Sequence, residues 1–162
     1  MGLIMLFAGC TQAPTSTVAL PPNFSTETSI NVGETNYSMV LSRFGDGYWK
    51  AELLSPAAVK GLIFTISGED TEVSFDGLRF TFDTGRFPVG SVVSSAIDSL
   101  DRLIVSPLDV INGEDQCLST GAIDGKSYTL TLTKNHIPTK LELLDSGMTL
   151  EFQTFDIVEY VE

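Results

Sequence analysis

Cys10 is the residue whose neighbours most narrow its chemistry. Ala8 and Gly9 put two small residues directly before it, an apolar run from Leu3 to Ala8 leads in, and Thr11-Gln12 turns polar behind it. Small residues ahead of a cysteine are what a bacterial lipoprotein signal peptidase cuts, leaving the cysteine as a new N-terminus carrying a lipid. A signal segment normally has positive charge, then about 7–15 apolar residues, then a small-residue cleavage site. Here the apolar run is short, no Lys or Arg precedes it, and Phe7 stands where Leu is usual. A start upstream of Met1 would account for all three. The alternative is a buried N-terminal strand that ends in Gly-Cys. The first reading makes residues 1–9 a signal segment and residues 10–24 a lipidated cysteine with a flexible tether. Residues 25–162 form a single domain. The stretch TQAPTSTVALPPN, Thr11 to Asn23, has no charge and is rich in Thr, Ser and Pro, as tethers are. Localisation follows: extracytoplasmic, with the lipid on Cys10 holding the chain to the bacterial cell membrane.

Other reactive chemistry is sparse. His136 is the single histidine, and it falls in a turn between Asn135 and Pro138. A Ser–His–Asp triad would have to use it, yet no G-x-S-x-G elbow occurs. There is no H-E-x-x-H, no phosphate-binding G-x-x-x-x-G-K-[ST], and no complete EF-hand loop. The context I-x-G-E-D occurs twice, at Ile66–Asp70 and Ile111–Asp115. It reads as two hairpin turns of one geometry rather than as calcium loops. Two cysteines and one histidine are too few for a structural zinc site. With Cys10 lipidated, Cys117 has no partner for a disulfide. The expectation is a non-catalytic chain with no metal and no cofactor.

Composition narrows the partners. The formal net charge is −12, which repels phosphate backbones, so nucleic acid is excluded as a partner. Apolar residues make up 43% and charged residues 19%, the balance of a chain that can bury a core. No second apolar run approaches the roughly 20 residues that span a bilayer. Attachment to a membrane would therefore depend on the lipid.

The elements that would position any site are mostly strands. Tyr37, Met39 and Leu41 alternate with Ser38 and Ser42, with Val40 breaking the polarity, and Trp49, Ala51 and Leu53 alternate with Lys50 and Glu52. Leu62, Phe64 and Ile66 run into one turn, and Val73 and Phe75 return from it. Asp76-Gly77 then opens the most regular strand, with Leu78, Phe80 and Phe82 on one face and Arg79, Thr81 and Asp83 on the other. Further strands are expected at 108–111, 117–118, 128–133, 141–143 and 148–152. Between Ser91 and Val105 the apolar spacing changes to threes and fours: Val92, Val93, Ala96, Ile97, Leu100, Leu103 and Ile104 share a helix face. Ser91 is the expected N-cap, Pro107 the stop, and Asp98, Asp101 and Arg102 the solvated side. A short helical turn is expected at 55–60.

The predicted fold class is α+β, mainly antiparallel β. About 9–11 strands form a curled sheet, a half-open barrel, with the 91–105 helix as a plug against its concave face. Short turns make neighbours antiparallel, and a sheet of this many strands curls. The competing architecture is a two-sheet sandwich with a peripheral helix. Tyr37, Met39, Trp49, Phe64, Phe80, Phe82, Ile97, Leu100, Leu130 and Phe152 are the candidate lining of an apolar cavity between sheet and helix. Otherwise they are ordinary core.

The order of these elements resembles a known family. Consecutive hairpins, the stretch SPAAVKGLIFTISGEDTEVSFDGLRFTF, one helix, and GKSYTLTLTKNHIPTKLELLDSGMTLEFQTF are similar to the superfamily of lipoprotein-localisation carriers and receptors, the LolA/LolB-like proteins. The resemblance covers roughly residues 25–158. It implies an unclosed barrel whose apolar cavity accepts acyl chains, with a lipid or a lipidated protein as ligand. Soluble carriers of this kind begin with a helix, which Pro21-Pro22 precludes here. An anchor at Cys10 fits a fixed receptor, a lipid holder or a sensor better than a shuttle. The alternative expectation is an envelope sensor, assembly factor or protein-interaction module of the same fold with no lipid ligand.

Overall fold

A computed structural model describes residues 14–45, 47–68, 70–81 and 88–159. Cys10 and Phe82 lie outside the described residues. The first half of the chain contributes β1 (Thr15–Val18), β2 (Phe24–Val32), β3 (Thr35–Phe44), β4 (Tyr48–Ser55), β5 (Ile63–Ser67), β6 (Asp70–Phe75) and β7 (Leu78–Thr81). Helix α1 (Pro88–Ile104) follows. The second half contributes β8 (Leu108–Asn112), β9 (Gln116–Ile123), β10 (Lys126–Thr133), β11 (Pro138–Leu143), β12 (Met148–Phe152) and β13 (Asp156–Ile157).

All these strands belong to one antiparallel sheet in the order β1-β8-β9-β10-β11-β12-β2-β3-β4-β5-β6-β7, with β13 pairing the start of β2. Two meanders, β2–β7 and β8–β12, join where β12 lies beside β2, with Leu150 opposite Ile30. The ends β1 and β7 do not pair, so the sheet is not closed. The sheet is mostly antiparallel β with one helix, and the curled α+β class holds. The helix shares its buried face with the sheet's core rather than sitting at the periphery: Val93, Ala96, Ile97, Leu100 and Leu103 join Met39, Leu41, Trp49, Leu130 and Leu150 in one apolar cluster.

Period-two alternation explains the strands. In β10 Tyr128, Leu130 and Leu132 are buried while Thr129, Thr131 and Thr133 are half-buried. Only one face is covered, so a one-residue slip would expose every inward side chain. The hairpins turn where glycine supplies positive φ cheaply, as at Gly77 (φ 79°) and Gly125 (φ 78°), each after an aspartate that is itself left-handed.

The structure departs from the sequence expectations at several elements. The described residues form thirteen strands rather than 9–11. Residues 14–24, expected as tether, are folded. Strand β1 pairs β8 with Val18 opposite Leu108, and Val18 and Leu20 are buried. Their apolar side chains fill the end of the core, which outweighs the tether-like composition around them. The helix begins at Pro88, three residues before the expected cap, because proline's fixed φ and missing N–H suit a first helical position. No helix forms at 55–60. Val59 N bonds Pro56 O at 3.0 Å, but Gly61 N and Leu62 O are both taken by Leu53 of β4. Finally, Leu78 and Phe80 are not buried as the alternation predicts. They are 61% and 43% exposed on β7, the last strand of the sheet.

Candidate functional site: the concave face and its helix

The concave face is built from inward positions of successive strands. Ile30, Met39, Leu41, Ala51, Leu130, Leu132, Leu141 and Leu150 show no exposed surface, and Trp49 and Leu53 are 1% exposed. Aromatic rings close one end. Phe24 stacks on Phe155 at 4.6 Å between centroids and meets Trp49 edge-on at 5.6 Å, and Phe152 meets Phe155 edge-on at 6.1 Å. Such offset and edge contacts add about 0.5–1.5 kcal/mol per pair beyond area burial.

Of the ten residues expected to line a cavity, Met39, Trp49, Phe64, Ile97, Leu100, Leu130 and Phe152 are buried together, and Tyr37 packs half-buried against them. Phe80, on β7, is 43% exposed. The clefts found among the described residues lie elsewhere. One of about 330 Å³ runs along α1's polar side, between Ser91, Ser95, Asp98 and Arg102 and the β9–β10 and β11–β12 turns at Asp124 and Ser146. None of the ten residues borders it.

Sequence reasoning missed the polar clamp between helix and sheet. Arg43 is buried, and its Nε donates to Asp101 Oδ1 at 2.7 Å. Its Nη1 donates to the carbonyls of Pro22 at 2.6 Å and Gly45 at 2.9 Å. Trp49 Nε1 donates to the same Asp101 oxygen at 3.1 Å, and the guanidinium lies 5.8 Å from the Trp49 ring centre. Asp101 therefore does not belong to the solvated side. A signal existed: Arg43 follows Met39 and Leu41 at steps of two, which puts it on the inward face. Thr26 and Thr28 are buried on β2 among apolar neighbours, and the Thr26 hydroxyl donates to the Thr154 carbonyl.

Among the described residues, no buried side-chain nitrogen or oxygen lacks a hydrogen-bond partner. The interior thus presents no unpaired polar atom to orient a polar substrate. What it offers is apolar and aromatic surface. Among the same residues, no three His, Cys, Asp or Glu side chains come together to hold a metal ion. His136 sits in the β10–β11 turn with φ 61°, its N–H donating to Thr133 O at 2.9 Å. The two I-x-G-E-D turns do not share a geometry. Gly68 is left-handed at φ 60°, whereas Gly113 is not, and a Cβ there would lie 2.8 Å from the Gln116 carbonyl oxygen.

Asp98, in the cleft, is moved from its ordinary pKa. Loss of water around it raises the carboxyl above the usual carboxylate range, Arg102 pulls it down, and Asp101 and Asp124 add repulsion. Asp98 keeps part of its surface in solvent, which screens each of these effects. No described helix is long and apolar enough to cross a membrane.

No family model and no curated protein matches this sequence. Among solved structures, the chain is similar to a LolA superfamily protein from Nitrosomonas europaea, at 14% identity and TM-score 0.49, over 88% of this chain and 90% of that one. It is also similar to an uncharacterized conserved protein from Thermus thermophilus, at 11% identity and TM-score 0.50, over 88% of this chain and 83% of that one. The second likeness concerns the fold alone.

Proposed function

We propose that this chain is a membrane-anchored, non-catalytic lipoprotein that binds an acyl chain, or another protein's lipidated end, between the curled sheet and α1. The observation that carries the reading is the concave face itself. It is continuous, apolar and aromatic, its polar groups are already paired, and one helix covers it on a sheet that does not close. An acyl chain needs apolar surface and no hydrogen bonds, and it can take over contacts that α1 makes in the unliganded protein. Opening that space means displacing Ile97 and Leu100, with the Arg43–Asp101 clamp as the polar restraint. Cys10 supplies the anchor in this reading, and the protein works outside the cytoplasm at the membrane that holds it. The resemblance of the strand and helix order to lipoprotein-localisation proteins points the same way.

A second reading rests on the exposed edge. Phe75 and Leu78 are 46% and 61% exposed beside the side of β7 that pairs with no strand among the described residues, a surface suited to a protein partner adding a strand. Native mass spectrometry of the protein freed of its anchor separates the two. Stoichiometric co-purified lipid supports the first reading. A lipid-free protein that crosslinks to a protein partner through β7 supports the second.

A further inference from the structure

The folded domain starts so close to Cys10 that its orientation on a membrane is constrained. This step rests on the anchor in the proposed function. Pro14 is fixed to the sheet: its carbonyl accepts from Asn112 N at 3.0 Å and from Asn112 Nδ2 at 3.1 Å. The four peptide links from Cys10 to Pro14 reach at most about 14 Å even fully extended. A tether running on to residue 24 would leave the domain free to tumble. A tether that ends at Pro14 does not.

Strand pairing then identifies which rim lies near the anchor. Pro14 and the start of β1 are at the Asn112 end of β8, beside the β8–β9 turn. Gln116 pairs with Thr133, so the β10–β11 turn adjoins it, and Lys134 Nζ donates to the Gly113 carbonyl to tie the two together. The β9–β10 turn at Asp124-Gly125 and the β11–β12 turn at Leu144–Gly147 are at the opposite rim. Eight-residue strands such as β10 separate the rims by roughly 25 Å.

We infer that the rim carrying the β8–β9 and β10–β11 turns faces the bilayer surface at close range, and that the rim carrying Asp124 and Leu144 faces away. The near rim exposes Glu114 and Asp115. These acids have no attraction for anionic lipid, so the tether rather than adsorption sets the orientation. The polar cleft along α1, bordered by Asp124 and Ser146, then opens away from the membrane.

The test uses protein purified from its host membrane and returned to vesicles of zwitterionic lipid. Fluorophores are attached at Glu114→Cys or Leu144→Cys, both exposed positions, while buried Cys117 stays unreactive. With a headgroup-bound acceptor, several-fold stronger quenching at position 114 than at 144 is expected. Inserting a long Gly/Ser spacer after Thr11 should abolish the difference. Equal quenching at both sites in protein whose Cys10 is lipidated by mass, or a difference that survives the spacer, overturns the orientation and leaves the anchor standing. An unmodified Cys10 overturns the anchor itself and the orientation with it.

Discussion

Arg43 and Asp101 show how one charge pair can decide the position of a helix. The Arg43 side chain is 6% exposed and the Asp101 side chain 34%, so the pair is neither fully buried nor a surface pair. Removing the acid leaves a buried guanidinium with two carbonyl acceptors and no counter-charge, and it strips Trp49 Nε1 of its acceptor. Breaking a buried pair costs about 3–5 kcal/mol, and solvent at Asp101 lowers this to about 2 kcal/mol. Asp101→Ala is expected to show that loss in urea unfolding, with Trp49 fluorescence shifting as its hydrogen bond goes. Asp98, one turn before Asp101, works in the opposite sense. Its folded pKa is raised, so the native state holds its proton more tightly than the unfolded chain. Stability therefore falls as pH rises from the unfolded value of about 4 through the raised folded value, and the penalty stays in full above it. Asp98→Asn is expected to raise the melting temperature at pH 7, and the gain should vanish below about pH 4. A gain that persists at low pH would contradict the desolvation argument.

The elements differ in how clearly their own residues announce them. Strands β8, β10 and β12 were legible within two residues, because alternation and Gly-containing turns agree there, whereas β9 runs on to Ile123 past the expected end at Leu118 and β11 starts at Pro138, three residues before the expected Leu141. The helix was legible from Val92 to Leu103, but its first turn begins at Pro88 rather than Ser91. Strand β1 was hidden: Thr15–Val18 carries no alternation of its own, and its partner β8 is more than ninety residues away. Only long-range pairing makes it a strand. The reverse error occurred at β7, where clean alternation led to an expected apolar face, yet Leu78 and Phe80 are 61% and 43% exposed. The candidate site followed the same division. Its apolar residues were legible by period, while Arg43 and Asp101 needed the helix's docking angle, which sequence periodicity does not carry. Two substitutions test this account together. Leu20→Ala is expected to cost about 2 kcal/mol or more, since a buried leucine is truncated in what looked like a tether. Leu78→Ala is expected to stay within about 0.5 kcal/mol, as surface substitutions do. Urea melts that ranked the two the other way would contradict the assigned ends of the core.

At the scale of the molecule, an unclosed sheet and the helix α1 share one apolar interior, in which Arg43 is the buried charge among the described residues. In the function we propose, the anchor at Cys10, the short reach from it to Pro14 and the apolar interior belong together: an acyl-accepting interior held at a membrane. The chain contains a single tryptophan, Trp49, which is 1% exposed on the concave face and hydrogen-bonded to the helix. It therefore reports on the space between sheet and helix without an added probe. Titrating the anchor-free protein with a lipid whose acyl chain carries bromine measures the central claim directly, because bromine quenches tryptophan only at contact. Saturable, stoichiometric quenching of Trp49, reversed by the unbrominated lipid, is the predicted result. Unquenched Trp49 fluorescence at lipid concentrations far above the protein's would contradict acyl-chain binding between the sheet and its helix.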